Sequence, residues 1–224
     1  MLLLFLAVSS TIVEAQTPSL LVGTDIPYQL HMGAAFDLEN FRFSVRSGVL
    51  AGPYSTLTLS LIETLGTDEI YISLLESSYQ FGFMNGVAFQ YKFGKKKLWS
   101  IGPEMRFDYL TASDTSEDLI EAITGESIFP NAGIINKEQE LSFDLMMYAI
   151  GIRVSRALPL DSQNRHHLLL DISFYKHYMT QTHLFLNQGY ADRISETLND
   201  LLWEDVFLPY GYLAGFGLSY RYAL

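Results

Sequence analysis

Apolar and polar residues alternate one by one over long stretches of this chain. From Leu208 to Leu224, one face of an extended strand carries Leu208, Tyr210, Tyr212, Ala214, Phe216, Leu218, Tyr220, Tyr222 and Leu224. The other carries Pro209, Gly211, Leu213, Gly215, Gly217, Ser219 and Arg221. Side chains alternate across a strand, so the whole segment reads as one long strand. Six further segments repeat the pattern: Ile26–Phe36, Phe41–Val49, Tyr79–Phe93, Trp99–Tyr109, Leu141–Leu158 and Leu168–Tyr178. In the first of them Ile26, Tyr28, Leu30, Met32, Ala34 and Phe36 form the apolar face. Leu141–Leu158 changes phase between Met147 and Ile150, as a β-bulge would cause, and the bulge is expected near Tyr148–Ala149.

The connections alternate as well. DLEN, GKKK and LPLDSQNRH are short; about 51–78, 112–140 and 183–207 are long. The long ones carry helical signals. DTSEDLIEAITG opens on capping residues and stops at Gly125. Ile194, Leu198, Leu201 and Leu202 form a stripe at helical spacing. The 51–78 segment has room for two short helices.

Composition narrows the class. With 14 Tyr and 15 Phe but only 17% charged residues, the chain is too poor in charge for an ordinary soluble surface. A soluble lipocalin-like barrel would have to bury an aromatic face from nearly every strand and would be overpacked. No stretch beyond the first residues is apolar enough for a transmembrane helix. There is no cysteine, so stability must come from sheet closure and packing rather than disulfides. Residues 1–15 read as a secretory signal, with an apolar core from Leu2 to Val13 and a small-x-small cleavage site at Val13-Glu14-Ala15.

Long alternating strands with aromatic edges, tight turns opposite long loops, and an aromatic C-terminal strand resemble the small outer-membrane β-barrel proteins of Gram-negative bacteria. The resemblance covers about residues 26–224. It implies an all-β, antiparallel, up-and-down transmembrane barrel in the outer membrane, with apolar faces towards lipid and aromatic girdles at both interfaces. Residues 16–25 read as a lead-in. Seven strands are clear, and the class prefers even numbers, so eight are expected. Ser19–Asp25 is one candidate for the eighth.

Parity assigns the inner wall. It places Arg42, Arg46, Lys92, Glu104, Arg106, Asp108, Asp144, Arg153, Asp171 and Arg221 in the lumen, with His31 and His177. At about eight strands the interior is only wide enough to be filled by side chains. These charges are therefore expected to pair into a buried network that plugs the barrel. The net charge of −11 concentrates in the long loops. The first carries Glu63, Asp68, Glu69 and Glu76. The second carries Asp114, Glu117, Asp118, Glu121, Glu126, Glu138 and Glu140 against Lys137. The third carries Asp192, Glu196, Asp200, Glu204 and Asp205 against Arg193, whereas Lys95, Lys96, Lys97 and Arg165 sit in short turns. An acidic outer mouth excludes nucleic acid as a partner. Outer-membrane lipid and lipopolysaccharide are the expected surroundings, with divalent cations available to bridge to the acidic loops, and a monomer is expected. No cofactor and no metal motif is indicated.

The function expected from these features is a structural or surface-interaction role without catalysis. A narrow channel for small solutes is the alternative. A lipid A-modifying acyl hydrolase or transferase comes third, because pairing across LPLDSQNRH would bring Ser142, Asp144, His177 and His183 near one another, and Ser, His and Asp are the parts of an acyl-transfer site. Leu201, Leu202 and Trp203 are candidate exposed anchors for a binding partner.

Overall fold

The structure is a computed structural model that describes residues 17–50, 53–78, 81–112, 117–125, 142–185 and 191–224. The secretory-signal segment, residues 1–15, lies outside the described residues. Eight strands form a closed barrel: β1 (Thr17–Ile26), β2 (Gln29–Asp37), β3 (Phe41–Leu50), β4 (Phe81–Phe93), β5 (Trp99–Ala112), β6 (Ser142–Pro159), β7 (His166–Phe185) and β8 (Tyr212–Ala223). Each pairs antiparallel with the next, and β8 closes on β1 from Ser19↔Ala223 to Ile26↔Phe216. Closure leaves no unpaired sheet edge, which is what allows a sheet to sit in hydrocarbon.

β1 is the eighth strand, and it occupies most of the segment read as a lead-in. Its alternation is hidden because Leu20, Leu21 and Val22 are apolar on both faces. The expected strand Ile26–Phe36 is split. Pro27 has no N–H to give to a ladder, so β1 ends at Ile26 and β2 begins at Gln29, with Tyr28 N donating to Asp25 O at 2.6 Å across the turn. Tyr28 is therefore turned inward and buried, against the lipid-facing position that parity assigned it. β8 is shorter than its pattern. Leu208–Tyr210 is a helical turn, closed by Gly211 N donating to Phe207 O at 2.9 Å, and the strand starts at Tyr212.

The bulge lies at the expected place but on the other strand. Tyr148 pairs with Met179 and Ala149 with His177, so Tyr178 is the extra residue, on β7. β6 itself keeps one parity, with Leu145, Met147, Ala149, Arg153, Ser155 and Ala157 all buried. The apparent phase change in its apolar residues has a different cause. In the outer half of the barrel the inner wall is apolar, because it packs under helices.

Those helices are α1 (Pro53–Thr64), α2 (Glu69–Ser78), α3 (Glu117–Thr124) and α4 (Ala191–Leu202), the last running into a π-helical turn, Trp203–Phe207. α1 and α2 fill the 51–78 segment as expected, and α3 stops at Gly125, whose φ of 68° suits a residue without Cβ. Leu59 and Ile62 of α1, Leu74 and Leu75 of α2, Ile120 of α3, and Ile194, Leu198 and Leu202 of α4 form one buried cluster. It includes Leu50, Met84, Leu110, Leu145, Met147 and Leu213 of the wall. Polar bonds fix the helices to the rim. Thr24 Oγ1 and Tyr54 Oη are 2.6 Å apart. Thr58 Oγ1 donates to Pro27 O, and Thr182 Oγ1 donates to Ser195 O at 2.7 Å. Tyr71 Oη donates to Asp205, and burial with this bond pushes the Tyr71 hydroxyl up to about 12.

The outer wall is mainly apolar; polar groups on it are paired, with Ser47 Oγ donating to Asn85 Oδ1 at 2.8 Å and Arg156 and Lys176 lying over the rings of Trp99 and Tyr212. Along β7, Ile172 and Phe174 are 57% and 53% exposed while Asp171 and Ser173, which alternate with them, are buried. Aromatic contacts gather in two bands. Phe41–Phe89, Phe41–Tyr91 and Phe93–Trp99 lie near the short turns. Phe107–Tyr148, Tyr148–Tyr178 and Phe174–Tyr212 lie near the helical end. Polar inside, apolar outside and aromatic at two levels is the pattern of a barrel that meets lipid. The short turns then mark the periplasmic end and the helices the outer end. We expect Ile172→Arg to lower stability by about 2–4 kcal/mol, the cost of a lipid-facing cation near the midplane. Urea unfolding from lipid vesicles checks this, and Ser173→Thr on the inner face serves as the mild control.

Candidate functional site, a charge-filled lumen

The lumen is layered from the periplasmic end to the cap. At its middle stands Arg153 of β6. Its Nη2 donates to Glu104 Oε1 of β5 at 3.0 Å, and its Nε donates to Oε2 of the same carboxylate. Nη1 donates to Asp25 Oδ1 of β1 at 3.0 Å and to Asp171 Oδ2 of β7 at 3.1 Å. Nη2 also reaches Asp25 Oδ2 at 3.2 Å and Tyr175 Oη at 2.8 Å, and Tyr175 Oη donates to Glu104 Oε2. One guanidinium thus ties together walls from opposite sides of the barrel. Arg46 of β3 joins the same carboxylates, with Nη2 2.9 Å from Asp171 Oδ2 and Nη1 3.5 Å from Asp25 Oδ1. Gln29 Nε2 donates to Asp25 Oδ2, His31 Nδ1 lies 3.5 Å from it, and His31 Nε2 meets Ser219 Oγ at 3.1 Å.

Above this layer Arg106 is sandwiched between Tyr28 and Tyr175, 4.5 and 4.6 Å from the two ring centres. Its Nη2 donates to Asp108 Oδ2 at 3.0 Å. His177 faces Phe207 and the carbonyl of Gly211, at the floor of the apolar cap. Below the middle layer, Asp37 receives Arg42, Lys92 and Arg221.

Glycines make this filling possible. A Cβ on Gly217 would stand 2.4 Å from Asp25 Oδ1 and 2.8 Å from Asp171 Cβ; one on Gly215 would stand 2.7 Å from Tyr28. Both must stay bare because the network and the tyrosine occupy that volume.

Nine of the ten charged residues assigned to the lumen by parity have buried or partly buried side chains on the inner wall: Arg42, Arg46, Lys92, Glu104, Arg106, Asp108, Arg153, Asp171 and Arg221. Asp144 is buried too, but at a position of the opposite parity. It pairs with Thr111 and His183 and accepts a hydrogen bond from Tyr109 Oη at 2.6 Å. Its assignment to the lumen followed from placing the bulge on β6; with β6 regular, even positions point outward. Ser142 shares that outward parity, while His177 faces the lumen. Among the described residues no side-chain hydrogen bond joins Ser142, Asp144 and His183, although Asp144 and His183 are ladder partners. Of the candidate anchors, Leu202 is buried in the cap, and Trp203 packs against the same core.

Reading by sequence missed Asp25, Asp37 and Tyr28; alternation along β7 puts Tyr175 on the inner face, where it is found. Asp25 was hidden in the lead-in and Asp37 in a turn. Asp25 shares the parity of Leu21 and Gly23, so extending the alternation backwards through β1 would have found it. Among the described residues no group of three or more His, Asp or Glu is placed to hold a metal ion.

A closed eight-stranded antiparallel barrel with a lipid-compatible wall and a polar filling defines a transmembrane β-barrel of the outer-membrane type, and the outer membrane is its location. Among solved structures the chain is similar to CarO of Acinetobacter baumannii, at 9% identity over 93% of this chain and 97% of that chain, with a TM-score of 0.40. It is also similar to a major outer membrane protein of Thermus thermophilus, at 10% identity over 94% of this chain and 100% of that chain, with a TM-score of 0.44. No protein-family model and no curated protein matches the chain.

Removing Arg153 leaves Asp25, Glu104 and Asp171 facing one another with only Arg46 among them. Stranding buried charge in this way is strongly destabilising. Arg153→Met should cost about 3–5 kcal/mol. Adding Glu104→Gln in that background should cost less than Glu104→Gln alone, because the two share one contact. A double-mutant cycle by urea unfolding from vesicles measures both terms.

Proposed function

We propose that this protein is a non-conducting outer-membrane barrel with a structural and surface-interaction role, presenting its acidic helical cap to the exterior. The observation that carries this reading is Arg153. It bonds carboxylates from β1, β5 and β7 at one level, so the path along the axis is crossed by a side-chain bridge. The apolar cap lies over that bridge as a second barrier, since a hydrated ion gains nothing from Leu198, Leu202 and Val206 in place of its water. Each barrier alone argues against a channel.

The outward surface supports the interaction role. Glu63, Asp68, Glu69, Glu76, Glu196, Asp200, Glu204 and Asp205 are exposed on the cap, against Arg193 among its exposed cations. Such a surface suits divalent cations that bridge to the phosphates of lipopolysaccharide. A monomer fits this reading, since the closed sheet offers no edge to a second copy.

Planar bilayers provide the test. The purified protein, inserted from detergent, is expected to leave the current at baseline under an applied potential in molar salt. Reproducible conductance steps would overturn the reading in favour of a narrow channel.

A further inference from the structure

The periplasmic end of the lumen is charged differently from the rest. Asp37 stands alone among three cations. Arg42 Nε donates to its Oδ1 at 2.8 Å, Lys92 Nζ lies 3.6 Å from the same oxygen, and Arg221 Nη1 donates to Oδ2. The remaining neighbour, His167, faces Arg221 Nη2 through Nδ1 at 3.1 Å. An arginine can only donate, so His167 Nδ1 accepts and the ring is neutral. Three cations less one carboxylate leave an excess of two positive charges.

The donors around this cluster are also in surplus. Arg221 Nε and the hydroxyls of Ser19, Ser44 and Ser100 are buried without a hydrogen-bond partner. They surround the same site. Ser44 follows Arg42 by one inward step on β3, Ser100 pairs with Lys92, and Ser19 pairs with Ala35, one inward step from Asp37. Excess cations and unmatched donors at one place need the same thing, an acceptor that carries negative charge. The middle layer differs, because there three carboxylates meet two arginines.

We propose that this end of the lumen binds a small soluble oxyanion of the phosphate or carboxylate class, taken from the periplasm. The barrel wall separates the cluster from lipid. The Asp37 side chain, 18% exposed, and that of Lys92, 11% exposed, keep the site open to water from below. The guanidinium of Arg221 supplies planar, forked donors, Lys92 a mobile point charge, and the serines neutral donors. A doubly charged phosphate matches the excess of two.

The experiment titrates the purified protein in detergent with inorganic phosphate and, separately, with acetate, at constant ionic strength, by isothermal calorimetry. One saturable site is expected, tighter for phosphate. Lys92→Gln, which gives up only a contact of 3.6 Å, should weaken it about tenfold, the worth of one charge-assisted contact. Asp37→Asn removes the competing carboxylate and should tighten it. Mere structural ion pairing would lower the melting temperature of Asp37→Asn without tightening phosphate. Absence of saturable binding for both anions, or phosphate binding that Lys92→Gln leaves unchanged, would overturn the site. Should Asp37→Asn fail to fold, the Lys92→Gln comparison decides alone.

Discussion

Three carboxylates, Asp25, Glu104 and Asp171, face one another inside a space walled off from bulk water, and everything else about this barrel depends on how they are neutralised. Buried carboxylates without counter-charge are costly enough to exclude a fold. Arg153 and Arg46 supply the counter-charge, and Arg153 does so from a single guanidinium that spans the lumen. That geometry demands strand registers which bring β1, β5, β6 and β7 to one level. It also demands bare positions at Gly215 and Gly217 to leave room. The network is thus matched to the observed registers, and breaking it by removing one partner would leave buried charge uncompensated.

The barrel is built inside out relative to a soluble one. Its outer wall is apolar because lipid is its solvent, so the hydrophobic effect does not hold the strands together there. Two other terms take over. Backbone ladders close on themselves from β1 to β8, and the interior binds wall to wall. In the inner half that binding is ionic. In the outer half it is apolar, since the helices of the three long connections bring Leu, Ile and Phe to inward positions that would otherwise face water. The larger apolar core lies in this outer half, while in the inner half Leu21, Ala35, Ala157 and Leu169, with Leu98 against them, form a small apolar cluster beside the ionic groups. The same arrangement fills the lumen from both halves, and the proposed non-conducting role rests on that filling.

Much of this was legible from alternation alone. Seven strands, the four helices and nine of ten lumen charges follow from counting by two or by three and four. The failures have physical reasons. β1 has apolar residues on both faces over Leu20–Val22, so its period is masked, and the network's carboxylate Asp25 was hidden with it. Pro27 breaks what looks like one strand, which turns Tyr28 into the lumen. Leu145 and Met147 mimic a phase change, because an apolar inner wall under the cap cannot be told from an apolar outer wall facing lipid without knowing what covers it. Asp144 was misplaced as a direct consequence. Which arginine meets which carboxylate across the lumen is not written in any local pattern, since it depends on how far the sheet is sheared when it closes.

The central claim is that the lumen is filled rather than open, and the absence of cysteine makes it directly testable, because an introduced thiol has no competitor. Ser173 lies on the inner wall, 3% exposed, beside Asp171. Ser173→Cys should resist a charged methanethiosulfonate reagent added from either side of protein-containing vesicles, while Ser60→Cys on the exposed face of the first cap helix is modified at once. Modification of the two thiols at similar rates would mean that water and solute pass through the network, and would contradict the account.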